Sequence, residues 1–244
     1  MSKSVQSVVW ELAGLLNDRE ADFEHVRWQE LDLLEYINDA IMQAYLVRPQ
    51  LFAHVEDMDL VPGSLQTLPE GCQLQNVMGS DGTANPARKL DDKMLAIYAG
   101  LACGACACGP YKLDGYGSSA SDPNTFWVDP PVPDDGQVHT AKILCLQEPD
   151  EIVATLDGSG AVTGYVPPNL PIKGKLHNAV IEWSLYRAYS VDMESAQSDR
   201  KMQFHLRHFY EMLGLDSKIT DKLLAEQMGK TRSTPTADTG SANA

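Results

Sequence analysis

Val5, Val8, Val9, Leu12, Leu15 and Leu16 recur at intervals of three and four, which predicts an amphipathic helix over residues 4–17. Asn17-Asp18 and the acidic run to Glu24 end it. From Trp28 to Val47, Leu31, Leu34, Ile37, Ile41 and Ala44 line one face of a second helix. Arg48-Pro49 stops that helix, because proline cannot continue an established one. Between residues 50 and 170 the texture changes. Pro, Gly, Asn and Asp punctuate short apolar runs, the signature of a β-rich region. Strands are predicted at 51–55, 73–78, 126–128, 140–146 and 152–156. The last joins 161–166 through Asp157-Gly-Ser-Gly160, a hairpin turn whose glycines supply positive φ. Residues 91–100 read as a short helix and 109–124 as a loop.

Gly174 opens a third helical block. Residues 175–192 carry Leu176, Val180, Ile181, Trp183, Leu185 and Ala188 on adjoining stripes, and residues 194–213 carry Met202, Leu206, Phe209 and Leu213. Gly214 fits a helix stop, and Asp216 fits the N-cap of a last short helix to about Met228. From Thr231 to Ala244 the chain is too polar to bury anything alone. The first and last helical blocks have complementary apolar faces, and neither buries its own. The expected fold is α+β, with a helical bundle formed by both chain ends (1–50 and 171–213), an inserted β-rich lobe (51–170), and a C-terminal helix and arm (214–244).

Charge sharpens this picture. The formal net charge is −15, and residues 51–174 carry six Lys/Arg against sixteen Asp/Glu, whereas 175–230 carry eight of each. So acid a middle argues against gripping DNA through its phosphates, which needs clustered Lys and Arg, but not against a wall that DNA slides past. No apolar run approaches the roughly 20 residues of a membrane span. Met1-Ser-Lys-Ser leads straight into the first amphipathic pattern, so no export signal is expected. Five cysteines, three of them crowded at Cys103, Cys106 and Cys108 with Cys72 and Cys145 apart, do not read as a disulfide framework, and a reducing assembly compartment is expected.

Candidate chemistry is thin. The cysteine cluster lacks a fourth local ligand for zinc. His205 and His208 share a helical face without a further ligand at matching spacing. Asp91-Asp92, Asp134-Asp135, Asp57 and Asp59 are what so acidic a composition produces on a solvated surface. The glycines at 158, 160 and 164 match neither a P-loop nor a dinucleotide fingerprint. No catalytic residue, metal or cofactor is expected. Phe126-Trp-Val-Asp-Pro-Pro-Val-Pro133 reads as a strand followed by a stiff, extended exit.

His25-Val-Arg-Trp28, Tyr36-Ile-Asn38, Arg48-Pro49, the 126–133 strand and exit, and Leu185-Tyr-Arg-Ala-Tyr-Ser190 with Asp192 occur in an order and at spacings that resemble the head-to-tail adaptor (connector) proteins of short-tailed bacteriophages. The resemblance implies a structural virion protein at the head–tail junction, assembled in the host cytoplasm. It implies a ring, of twelve subunits, that joins the capsid portal protein to tail nozzle or tail fibre proteins and lets the genome through its lumen without specific binding. It also implies that the C-terminal segment embraces the portal. Leu215, Lys218, Ile219, Lys222, Leu223, Met228, Lys230 and Arg232 would be the contacts. Arg27, Trp28, Asn38, Arg48, Trp183, Tyr186, Arg187 and Asp192 are expected in structural roles: Arg27, Trp28 and Asn38 to fix the first two helices, Arg187 to donate to Asp39 or Asp192. The competing readings are a metal- or thiol-dependent tail-associated enzyme, supported only by the cysteines and histidines, and a scaffold that leaves before maturation.

Overall fold

A computed structural model describes residues 3–20, 23–81, 86–90, 111–119, 122–191 and 196–231. The protein is α+β and divides into two compact units. One comprises Met1–Val47 with Asp150–Ala244, the other Arg48–Pro149.

In the first unit, α1 (Val5–Leu15) starts at Ser4, whose hydroxyl accepts the Ser7 N–H at 3.2 Å. It buries Val5, Val8, Val9, Leu12 and Ala13. Asn17, at φ 55°, ends the helix in the left-handed conformation that Asn tolerates, and Asp18 N–H closes back on the Ala13 carbonyl at 2.9 Å. A two-residue ladder, β1 (Arg19–Glu20) with β2 (Phe23–Glu24), follows. Then α2 (Glu30–Val47) buries Leu33, Leu34, Ile37, Ala40, Ile41 and Ala44. Leu31, expected on that face, is exposed.

The link between α1 and α2 is held by Asp18. This carboxylate is buried and accepts the backbone N–H of Trp28 at 2.7 Å and of Arg27 at 3.1 Å. Charge-assisted bonds of this kind carry roughly 1.5–3 kcal/mol each. The Arg27 guanidinium lies 5.6 Å from the Trp28 ring centre, and Trp28 meets Tyr36 edge-on. Asn38 has a different task from the one expected of it. Its Nδ2 donates to the Ile152 carbonyl at 2.9 Å and its Oδ1 accepts the Ile152 N–H at 3.0 Å, so it mimics a strand partner for the residue entering the β10–β11 hairpin (Val153–Leu156 and Val162–Val166). That hairpin groups with the helices. Asn38 thus ties α2 to a residue 114 positions later in the chain.

α3 (His177–Val191) is buried on nearly every side: Ala179, Val180, Ile181, Trp183, Ser184, Leu185, Tyr186 and Ala188 all lie inside. It packs against α1, α2 and α4 (Ala196–Met212). α4 presents Met202, Leu206, Phe209 and Tyr210 to it, and Trp183 and Phe209 meet at 4.7 Å between ring centres. α5 (Ser217–Thr231) packs on α4.

The second unit holds two sheets. In the first, β9 (His139–Gln147) pairs antiparallel with β3 (Ala53–Leu60) on one side and β5 (Cys72–Ser80) on the other. The second has the order β4 (Gly63–Thr67), β8 (Asp122–Val132), β7 (Gly115–Ser119), β6 (Arg88–Lys89). One core collects Val77, Ala141, Ile143 and Cys145 with Tyr116, Phe126, Val128 and Val132. Gln66, fully buried, fastens the β3–β4 turn through Val61 N–H and C=O, both at 2.8 Å, and the Gly63 carbonyl at 3.1 Å. Arg48 is the residue before the 3-10 turn Pro49–Phe52, and its carbonyl accepts the Leu51 N–H at 3.0 Å.

Three expectations are corrected here. Residues 115–119 are a strand, not a loop. β8 continues through Pro130 and Pro131 to Val132 instead of ending at the prolines. The prolines, which lack an N–H, fall where the β4 register jumps from Leu65–Trp127 to Gly63–Val132 and needs no donor. Finally, Cys72 and Cys145, 73 residues apart in sequence, are joined in a disulfide between β5 and β9. The helix predicted at 91–100, Cys103, Cys106, Cys108 and Asp192 lie outside the described residues.

Asp18→Ala takes the acceptor from the buried Trp28 N–H and removes a second bond made by the Arg27 N–H. It should lower the stability of the helical unit by about 2–3 kcal/mol, read by urea denaturation followed through tryptophan fluorescence. A change under about 0.5 kcal/mol would show that water replaces the carboxylate.

Candidate partner-binding surface

α5 is set on α4 by backbone geometry. Gly214, at φ 72°, takes a conformation that costs other residues strain. Its N–H reaches the Glu211 carbonyl at 2.9 Å, and Leu215 N–H reaches that of Tyr210 at 3.2 Å. The Asp216 carboxylate then accepts the Lys218 N–H at 2.9 Å and starts the new helix. Thr220 and Leu224 turn inward and are buried, and Arg207 on α4 pairs with Asp221 at 3.2 Å.

The residues expected to meet a partner divide by face. Lys218, Ile219 and Lys222 are exposed; Leu215 and Leu223 are half-buried. Met228 and Lys230 sit in the last turn of α5, and Arg232 lies outside the described residues. Ile219 is 50% exposed, and Phe204 on α4 is 54% exposed. Phe204 also lines a groove of about 460 Å³ with Arg200, Gln203, Arg207, Asp221, Leu224 and Ala225. Two guanidiniums, one carboxylate and an aromatic ring make this groove amphipathic and locally basic within an acidic chain.

Behind this surface, Asp39 on α2 is a shared acceptor. It takes the Trp183 indole N–H at 3.1 Å and the Arg187 Nε at 3.2 Å. The Arg187 guanidinium also stands 5.9 Å from the Tyr36 ring centre. Tyr186 is buried against Trp183 at 4.9 Å, and that burial raises its phenol above the usual range. Burial likewise pushes Tyr210 up to about 12.

His205 and His208 do not converge. The Nδ1 of His205 meets Glu182 on α3 at 2.7 Å, and its ring stacks on Tyr189 at 5.4 Å. His208 bonds the Phe204 carbonyl at 3.1 Å. Asp57 meets Lys142 on the adjacent strand, and Asp135 closes a turn by accepting the Gln137 N–H at 2.9 Å. Asp157 organises the β10–β11 turn through Ser159 and Ala161. These groups perform structural work where they stand.

Among the described residues, α4 and α5 thus offer exposed surface and charge. The SU10 adaptor protein family matches residues 4–234, from the cap of α1 to beyond α5. The chain belongs to that family. The family is one of structural phage proteins, so this adaptor is a virion component that joins other head and tail proteins. A comparison with curated proteins finds no match. No described helix of the adaptor is long and apolar enough to cross a membrane.

Sequence reasoning named Arg187, with Asp39 and Asp192 as its candidate acceptors, and Trp183, with none. It missed Asp18 and the groove entirely. Asp18 looks in sequence like an ordinary helix terminator, whereas Phe204 and Phe209 five residues apart do signal that α4 has an aromatic residue outside its core stripe.

Asp39→Ala strands the buried indole N–H of Trp183 and should destabilise the adaptor by about 1–3 kcal/mol. Arg187→Ala removes a half-exposed ion pair and should cost less than about 1 kcal/mol. Chemical denaturation of both variants checks the order, which would be reversed if the guanidinium carried the contact.

Two buried histidines give the units opposite responses to pH. The hydrogen bond that His139 Nδ1 donates to the Asp81 carboxylate at 2.9 Å, joined by the charge of Asp135, holds His139 above its usual 6.5 despite burial. Its stabilisation is therefore full below pH 6.5 and fades as pH rises through the raised value. Burial, aided by Lys3, lowers His177, so its neutral form is favoured, and stability drops as pH falls below 6.5 toward the lowered value. Between pH 8 and pH 6, hydrogen exchange should slow in β9 and quicken in α3. His139→Gln and His177→Gln should each flatten the dependence of its own unit.

Proposed function

We propose that this adaptor is a head-to-tail connector of a short-tailed phage. Twelve copies form a ring beneath the portal protein and hand the genome on to the tail nozzle or fibres. The family match across nearly the whole chain carries this reading. In it, a helical bundle built from both chain ends is the body of the ring, the β lobe faces the tail, and α5 with the segment after it is the arm that reaches the portal.

The physical support is the division of labour along the chain. The exposed Lys218, Ile219 and Lys222 offer a partner one apolar anchor flanked by cations, and the half-buried Leu215 and Leu223 complete the stripe. Among the described residues α5 packs chiefly on α4, so it depends little on the core. The net charge of −15, repeated around a closed ring, repels DNA from the wall and lets it pass without sticking.

The test is to mix the purified chain with its cognate portal and follow binding by sedimentation and electron microscopy. Rings capping the portal are expected. Ile219→Glu with Lys222→Glu should weaken binding about tenfold or more. The same variant should leave thermal unfolding of the free subunit within about 0.5 kcal/mol, since both positions are exposed. Equal binding by the variant would move the portal contact elsewhere, and no capping by the native chain would remove the reading.

A further inference from the structure

The disulfide of the β lobe has two neighbours that a simple staple does not need. His54 on β3 is the ladder partner of Cys145 on β9, and Glu56 lies two residues further along β3, on the same face. On the other side, β5 places Leu74 opposite Cys145, and Cys72 bonds to the Cys145 sulfur with the two Cα atoms 5.3 Å apart. An imidazole, a carboxylate and two sulfurs therefore meet over three adjacent strands. Ligand atoms of His54, Glu56 and Cys145 all lie within 4.8 Å of one another. The His54 Nε2 and a Glu56 oxygen are already drawn together at 3.5 Å.

This is the donor set of a tetrahedral zinc site with one element withheld. Zinc takes four ligands from thiolate, imidazole and carboxylate, and a disulfide sulfur is not a thiolate. We propose that reduction converts the Cys72–Cys145 staple into a divalent zinc site formed by Cys72, Cys145, His54 and Glu56. Two equivalents of a thiol reductant transfer two electrons to the disulfide, giving two cysteine thiols and one reductant disulfide. Zinc binding then releases two protons from those thiols, and the thiolates, neutral His54 and the Glu56 carboxylate enclose the ion. A small-molecule disulfide reverses both steps: it takes two electrons from the thiolates and, with two protons from solvent, becomes two thiols, while the cysteines rejoin and the zinc ion is released.

The surroundings favour this exchange. Cys145 is fully buried and Cys72 is 6% exposed, so the sulfurs sit in a dry floor. The His54 and Glu56 side chains are 40% and 41% exposed, which leaves the ion a path from solvent. The acidic excess of residues 51–174 raises the local cation concentration. In both states β5 and β9 stay cross-linked, by a covalent bond or by a metal, and the metal ties in β3 as well.

The experiment uses the full chain with Cys103, Cys106 and Cys108 replaced by serine, so that no other thiol competes. The reduced protein is titrated with Co²⁺, whose thiolate charge-transfer and tetrahedral d–d bands report sulfur ligation, and then with Zn²⁺ against a chromogenic chelator. One equivalent should bind to the reduced protein and none to the oxidised protein of the same sequence. His54→Ala and Glu56→Gln, both at half-exposed positions, should weaken zinc about tenfold or more while circular dichroism stays native. Cys145→Ser, which leaves Cys72 as the remaining sulfur ligand, should cut the charge-transfer band by about half or more. Equal binding by oxidised and reduced protein, less than one equivalent in the reduced form, or indifference to His54→Ala would overturn the site. The oxidised–reduced comparison needs no substitution at the site itself, so a variant that fails to fold does not remove the test.

Discussion

A helix with buried side chains on nearly every side cannot lie on a surface, and α3 is such a helix. Trp183, Leu185, Tyr186, Ala188 and Val180 point in all directions around it, so other elements must enclose it. α4 follows it in sequence, but α1 and α2 come from the opposite end of the chain. The burial of α3 is thus the term that forces two distant segments into one unit and relegates residues 48–149 to an insertion. Hydrophobic burial is non-directional, so it explains why these segments associate but not how they are aligned. Alignment comes from a few polar pins.

Asp18, Asn38 and Asp39 are those pins, and each works by supplying what a buried backbone or indole group would otherwise lack. Asp18 takes two N–H groups at the entry to α2, Asn38 satisfies both polar groups of Ile152, and Asp39 takes the Trp183 indole. Leaving such groups unmatched in a dry interior costs roughly 1–3 kcal/mol apiece. Misaligned packings are penalised by that amount, whereas the aligned one is not. A structural protein that must present the same surface repeatedly benefits from this kind of discrimination more than from extra stability.

The helices were legible because each carries a long, regular period: Val5 to Leu12, Leu34 to Ala44, and Met202 to Leu213 can be read without any knowledge of partners. β9 and β5 were legible for the same reason at period two. β7 was not, because Gly115-Tyr-Gly-Ser-Ser119 has almost no apolar alternation and becomes a strand by pairing with β8 and β6. The Cys72–Cys145 pair was hidden because β5 and β9 are far apart in sequence, and only their register places the sulfurs side by side. Asn38 was recognised as important but assigned to the wrong neighbour, since an amide that imitates a strand edge leaves no mark in composition. The outward face of α5 was named residue by residue from a family likeness. The groove beside it, built from α4 and α5 together, has no linear signature.

The insertion has a consequence for how the chain comes off the ribosome. α1 and α2 emerge first, yet the helix that encloses their apolar faces begins about 130 residues later, at His177. At roughly 5–20 residues per second that interval lasts about 6–26 seconds. During it, the strands from β3 to β9 emerge in full and can close their own core. The lobe is then finished while α1 and α2 still wait with Val8, Leu12, Leu33 and Ile37 uncovered. The sticky period of this protein's biogenesis therefore belongs to its N-terminal helices, and its length is set by the size of the insert.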